Sequence, residues 1–436
     1  MNTWQKIILA LLAILVVGGL LMLLPPVQER VLWRLDQLRI RAFYLINPPE
    51  EAVFTPDEEV AAVVQATLTQ LASESTLTPT PSPTVTETPL PPEAPTPTIT
   101  PSPTPLPPVA LIADVPYVDQ HYGFNNCAPA NLTMALHFWG WAGTREDVSD
   151  GVKPFAKDKN VMPYELADYV NYQTSMRATW RMGGTVDMLK ALVAAGYPVV
   201  VERGVYLRDL SGKVSWMGHY QTVYGYDDGN RTFNVKDSFE EGGDHFVVSD
   251  EDLMRGWRSF NYAFLVVYPP EQEWMVLSLM GVHADEAAAN NTALQTASEE
   301  ATELTGQDQF FALYNRGTSL YLLGDFNGAA EAYDEAFRQY ATLSGDKRPW
   351  RIVWYQTGPY FAYFNTGRFE DVINLADKTI QSASEPYLEE SFYWRARAKS
   401  VTGDTQGAIE DLNKSLEYHP NFNPSVALLS SLVGGQ

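Results

Sequence analysis

The sequence predicts an α+β domain, a helical lobe followed by an antiparallel sheet, joined to an all-α repeat domain and preceded by one transmembrane helix. Three observations carry this. An uncharged apolar run covers residues 7–24, residues 109–268 pass from helix-like spacing to runs rich in β-branched and aromatic residues, and residues 310–420 repeat one helix–turn phrase three times. The chain has 436 residues, more than one hydrophobic core usually organises, and 45% of them are apolar, so two folded domains are expected. The formal charge of -23, with basic residues scattered along the chain, argues against nucleic acid as a partner.

The run from Ile7 to Leu24 nearly matches the roughly 30 Å hydrocarbon core at about 1.5 Å per helical residue. A cleavable signal peptide is the rival reading. It has a shorter apolar stretch and a small-residue cleavage site, whereas Pro25-Pro26-Val27-Gln28 follows here, so an uncleaved anchor is preferred. Arg30, Arg34, Arg39 and Arg41 follow the span while only Lys6 precedes it, which taken literally keeps the bulk inside. The next segment points the other way. Residues 76–108 are a Thr-Pro-Ser tract with almost nothing to bury, reaching on the order of 100 Å as polyproline II, the composition of an extracellular stalk. An outward-facing, single-pass membrane protein is therefore expected. Val27 to Ile46 reads as an amphipathic juxtamembrane helix for which packing at the interface suffices.

Within the first domain, helices are expected after Cys127, over 164–176 and over 185–195, the last closed by Gly196. Strands are expected at 179–181 on an edge, then at 197–202, 219–226, 232–236 and 262–268. Residues 292–304, rich in Ala and Glu, form a connecting or capping helix. The expected division is an anchor and juxtamembrane helix over 1–48, a linker over 49–108, the α+β domain over 109–270, a connecting segment over 271–308 and repeats over 309–436.

The repeated phrase is Leu323-Gly324-Asp325-Phe326 with Ala329, Thr366-Gly367-Arg368-Phe369 with Val372, and Thr402-Gly403-Asp404 with Ala408. Seven residues before each glycine stand Gly317, Tyr360 and Ala396, and Pro420 falls twelve after Ala408. This pattern resembles the tetratricopeptide repeat, with Tyr360 and Val372 making the second unit atypical. Three units are about the minimum for a stable stack, and the resemblance implies a scaffold that binds a protein partner. The aromatic residues of this region, including Trp350, Trp354, Tyr355, Tyr360, Tyr363 and Trp394, invite a peptide-groove reading, but helix packing explains most of them.

Cys127 is the single cysteine, so intrachain disulfides and cysteine-rich metal sites are excluded by count. A thiol at the start of a helix is favoured as thiolate by the dipole and the unpaired N–H groups. A base is still needed. His219, where Gly218 leads into a strand, is the candidate, and His121, near in sequence, is the rival. Asp237 ends the strand paired with that of His219 and is the candidate to orient the imidazole. Strand parity sets a condition. A two-residue turn at Asp228-Gly229 puts His219 and Asp237 on opposite faces, and an odd loop puts them together. The loop is expected to be odd. His245, near Asp244, Glu240 and Glu241, is read as part of a solvated acidic loop, and Trp139, Trp141 and Trp257 as core.

Gln120, Cys127-Ala128-Pro129-Ala130 opening a helix, Gly218-His219-Tyr220 entering a strand, Gly225-Tyr226-Asp227-Asp228 and Asp237 in this order resemble papain-like cysteine peptidases of the bacteriocin-leader-processing type and their relatives. The resemblance covers about residues 110–268. It implies Cys127 as nucleophile, His219 as general base and acid, Asp237 as orienting carboxylate and Gln120 as oxyanion donor, with no cofactor. The family commonly has glycine at Ala128 and proline at Ser238. Leader-processing enzymes are typically fused to a transporter with many spans, which this chain lacks, so a transported leader is not the expected substrate. The expected function is a membrane-anchored cysteine peptidase acting on a peptide or protein. The alternatives are an inactive papain-like domain serving with the repeats as a cell-surface adaptor, and a transpeptidase using the same thioester.

Overall fold

The structure is a computed structural model that describes residues 24–59 and 105–434 except 122, 123, 156 and 209–211, with scattered positions before residue 24 and between 62 and 66. The expected span over 7–24 and the Pro/Thr tract fall for the most part outside the described residues. Among the described residues, no helix is long and apolar enough to cross a membrane.

Seven antiparallel strands form one sheet: β1 (Val109–Leu111), β2 (Arg177–Arg181), β3 (Val199–Arg208), β4 (Val214–Asp227), β5 (Thr232–Asp237), β6 (Phe246–Ser249) and β7 (Phe264–Tyr268). Their order is β2-β7-β3-β4-β5-β6, with β1 pairing the far end of β4. Strand β2 lies on the edge, as its short aromatic-polar run predicts. Alternation along the strands serves two covered faces. Val200, Leu265 and Val267 meet Ala128, Leu132 and Leu136 of α2 (Cys127–Phe138), together with Val148 and Val152 of α3 (Arg145–Val152) and Leu166 and Val170 of α4 (Pro163–Gln173). On the other face, Val199, Val201, Val223 and Val235 meet Leu189, Leu192 and Val193 of α5 (Val186–Ala194). Thr185 caps α5 by accepting from the Met188 N–H, and Gly196 stands at φ +91, as a chain leaving a helix requires.

Past α6 (Asp250–Arg258), the chain becomes helical: α7 (Glu273–Met280), α8 (Glu286–Glu303), then the pairs α9 (Gly306–Leu322) with α10 (Phe326–Thr342), α12 (Gly358–Asn365) with α13 (Phe369–Gln381), and α14 (Glu389–Thr402) with α15 (Thr405–Tyr418), closed by α16 (Asn423–Gly434). The second pair carries Tyr360 and Val372, both buried, at the positions that departed from the repeat pattern, and an insertion that the sequence did not announce precedes it. Residues 343–357 stand before it as an insertion containing the short helix α11 (Ile352–Tyr355). The two domains share one core, in which Trp216 of β4 and Phe260 pack with Phe311 of α9. Asn261 donates to Ser319 Oγ at 3.0 Å and Asn315 to the Arg258 carbonyl at 2.6 Å.

The amino-terminal segment departs from expectation. Helix α1 (Pro25–Ile46) forms where the juxtamembrane helix was expected, but Ile40 and Tyr44 are buried against Trp350, Trp354, Ala383 and Leu388 of the repeat region. Asp36 and Glu385 both hold Lys157, which stands between α3 and α4. Residues 49–57, expected to begin the linker, are docked too. Phe54 is buried at 4.9 Å from Phe337, and the Asp57 N–H donates to Asp371 Oδ1 at 3.0 Å. An aromatic side chain among polar neighbours gains enough by burial to order such a segment, which composition averaged over 49–108 conceals.

Candidate active site

Cys127 is the first residue of α2, half-buried, with Asn126 as the N-cap. Its own N–H belongs to the first turn, which has no partner within the helix. Lys153, itself buried, ties down the approach to it, donating to the Phe124 carbonyl at 2.7 Å and to Asn126 Oδ1 at 3.0 Å. Burial pulls the Lys153 amine down, while Asp158 and Cys127 act to raise it. Pro129 in the first turn of α2 costs no hydrogen bond.

His219 is 2% exposed, and its Nε2 lies 3.0 Å from Asp237 Oδ1. That leaves Nδ1 for the thiol. Burial acts to lower the His219 imidazolium, but the Asp237 carboxylate and the Cys127 side chain outweigh it, and its pKa is raised to about 10. Burial acts to raise Asp237, but His219, Gln221 and the Phe239 N–H hold it well below the usual carboxylate range.

The parity condition is met by a route other than the expected odd loop. Asp227 pairs with Thr232, so the loop has four residues, 228–231, and is even. A β-bulge between Val223 and Gly225 then inserts Tyr224 into β4 alone, so that Val223 pairs with Val235 and Gln221 with Asp237. The inserted residue restores the parity that the loop withholds. Gly225 permits the bulge, since a Cβ there would lie 2.6 Å from Leu111 Cδ1 and 3.0 Å from the Ala110 carbonyl oxygen.

The fourth candidate, Gln120, is fixed from both ends. Its N–H donates to the Ser238 carbonyl at 3.0 Å, and its Oε1 accepts from Ser238 Oγ at 2.7 Å, which turns the amide nitrogen, the donor an oxyanion needs, away from Ser238. Ser238 Oγ accepts from Asn131 Nδ2 at 3.3 Å, and the same nitrogen donates to the Cys127 carbonyl at 2.9 Å. Gln120, Ser238, Asn131 and Cys127 are thus one hydrogen-bonded chain.

A helix-opening cysteine, a histidine bonded to the carboxylate of the neighbouring strand and an upstream glutamine linked to the cysteine through Ser238 and Asn131 are brought together at one place. Residues 112–263 match the Peptidase_C39 like family. Residues 311–342 match the tetratricopeptide repeat. Among solved structures, a putative C39-like peptidase from Bacillus anthracis is similar over 36% of this chain and 96% of its own, at 16% identity and a TM-score of 0.30. Aryl-hydrocarbon-interacting protein-like 1 of Mus musculus and that of Rattus norvegicus are each 25% identical over 121 residues, 26% of this chain. The chain spans 37% of the length of these relatives.

Within the C39-like domain, the two departures from the family pattern are accommodated. Ala128 is buried against the core beneath α2, and Ser238, where a proline is common, supplies the hydroxyl that holds Gln120. The rival His121 lies at the surface, stacked on Phe239 and 2.6 Å from Asp119. His245 is exposed beside Asp244, which Lys236 engages at 2.5 Å. Trp139 and Trp257 donate to the Val267 and Ala263 carbonyls, both at 2.7 Å, and Trp141 packs against the α2 core.

Sequence reasoning missed Gln221, Arg203 and Asn131. Gln221 donates to Asp237 Oδ2 at 2.5 Å and accepts from Arg203 Nη1 at 3.0 Å, while Arg203 Nη2 reaches Asp252 Oδ2 at 2.9 Å. A signal for Gln221 was present, since a polar residue two positions after His219 in an apolar strand shares its face. Arg203 and Asn131 had none, because their partners lie on elements distant in sequence.

Proposed function

We propose that this protein is a cysteine peptidase that cleaves amide bonds by acyl transfer through Cys127. The observation that carries the reading is the 3.0 Å bond from His219 to the buried Asp237, which holds a raised imidazolium toward a thiol at a helix start. His219 takes the proton of Cys127, and the thiolate attacks the substrate carbonyl. The Gln120 amide and the Cys127 N–H stabilise the oxyanion. Collapse of the tetrahedral adduct breaks the C–N bond, and the imidazolium gives its proton to the leaving amine. His219 then takes a proton from water, hydroxide adds to the thioester, and the carboxylate product leaves as the thiol is restored. An amine acceptor in place of water would make the same thioester a transpeptidase intermediate.

The wider reading is that residues 7–24 anchor the chain in a membrane, that the Pro/Thr tract carries the folded domains outside it, and that the repeats engage a protein partner. Support comes from the length and apolarity of that run and from the repeat match. The test uses the full chain with a peptide library and a thiol-directed probe. Cleavage present in the parent and absent in Cys127→Ala is expected, and a parent that is labelled at Cys127 but cleaves nothing in the library would favour the non-catalytic adaptor.

A further inference from the structure

The insertion between the first and second repeats reaches into the C39-like domain at the strand that carries the histidine. The Arg351 guanidinium donates to Ser215 Oγ at 2.7 Å and to the Trp216 carbonyl at 3.1 Å. Gln356 donates to the Ser259 carbonyl at 2.7 Å, and Asn160 to the Tyr355 carbonyl at 3.4 Å. Between these clamps the Tyr355 ring meets Trp216 edge-on at 5.9 Å and Phe260 at 5.8 Å. The same ring lies against Gly218, the residue before His219. A Cβ on Gly218 would stand 3.2 Å from Tyr355 Cε1 and 2.7 Å from Phe260 Cζ. The glycine there is the space into which the repeat domain fits.

The geometry points to Tyr355, a residue of the repeat region, as a positioning residue of the peptidase site, seating the Gly218–His219 backbone so that the imidazole meets both Asp237 and Cys127. This rests on the peptidase reading above and deepens it, because the repeat domain then completes the site in cis. The electrostatics agree. Burial pushes the Tyr355 hydroxyl up to about 12, while Arg351 acts to lower it and Cys127 to raise it. A short helix such as α11 has little stability of its own, so its orientation comes from these contacts rather than from local preference.

The test is the pH dependence of Cys127 alkylation by iodoacetamide in the full chain, in the parent and in Tyr355→Ala and Tyr355→Phe. A misplaced imidazole stabilises the thiolate less. Tyr355→Ala is therefore expected to move the rise of alkylation to higher pH by about one unit and to slow it about tenfold at neutral pH. Tyr355→Phe, which keeps the ring, is expected to stay within about threefold of the parent. Should Tyr355→Ala lose its cooperative thermal transition, Tyr355→Leu, apolar but without a ring edge at Gly218, carries the same expectation. Superimposed early-rising profiles in the parent and the Ala or Leu variant overturn this inference alone. A parent profile that rises only near pH 8.5, as for an unassisted thiol, overturns the peptidase reading and this inference with it.

Discussion

Gln221, not His219, stands directly across the ladder from Asp237, and its amide donates to Asp237 Oδ2 at 2.5 Å while His219 engages Oδ1. The Asp237 carboxylate is thus held by two neighbours on one strand, and the Phe239 and Glu240 N–H groups add bonds of 2.9 and 3.1 Å to Oδ1. Removing one partner of a buried, charged acceptor costs about 1.5–3 kcal/mol. Gln221→Met, close in volume, is expected to lose that much stability in denaturant unfolding. The same change is expected to lower kcat about tenfold with KM little changed, because Asp237 is left with more freedom.

The pH dependence follows from the same pair. His219 is raised to about 10 from an ordinary value near 6.5, so its stabilising contribution is complete below about 6.5 and lost as pH rises through about 10. Asp237 is depressed, so its contribution is present above about 4 and lost as pH falls further. The melting temperature is expected to fall on the alkaline side in the parent and to be flatter there in His219→Gln. In Asp237→Asn, the alkaline limb of peptide hydrolysis should move down by at least about one unit, since the charge that outweighs burial is gone. An unmoved limb would show that Asp237 does not govern His219.

On the proposed mechanism, Ser238→Ala tests Gln120 separately from Cys127. It frees the Gln120 carbonyl oxygen and leaves His219 and Asp237 paired. Hydrolysis is expected to fall about ten- to a hundredfold, while iodoacetamide alkylation, which builds no oxyanion, stays at the parent rate. Parallel losses in both assays would place Ser238 in the general fold instead.

The docked amino-terminal segment rests on Phe54. Phe54→Ala removes its ring from Phe337 and Tyr363, a loss of about 3–5 kcal/mol for a buried aromatic. Limited proteolysis is expected to cut this segment faster in the variant, with alkylation of Cys127 unchanged.

Much of this site was legible in the residues alone. Cys127 before an apolar helix and Asp237 at the end of a strand each carry a local signal, and local signals survive folding because backbone preference and side-chain period produce them. The three glycine-centred phrases marked the helix pairs for the same reason. Gly218 and His219, expected at a strand start, lie instead inside β4 because the ladder with β3 runs on to Val214. What the loop could not reveal was parity. An even four-residue turn alone separates His219 from Asp237, and the bulge at Tyr224 that reunites them depends on Gly225 fitting between β1 and β5.

By itself, then, the sequence pointed to a sheet-containing domain followed by helical repeats, and to Cys127, His219, Asp237 and Gln120 as residues that would come together. Tertiary structure alone decided which side chains meet: Ser238 with Gln120, Gln221 with Arg203, Phe54 with Phe337, and Tyr355 with Gly218. The reason is physical. Periodicity and turn chemistry are set within a few residues, whereas these pairs join segments from 18 to 283 positions apart, held by burial and hydrogen bonds that exist only once the chain has closed on itself.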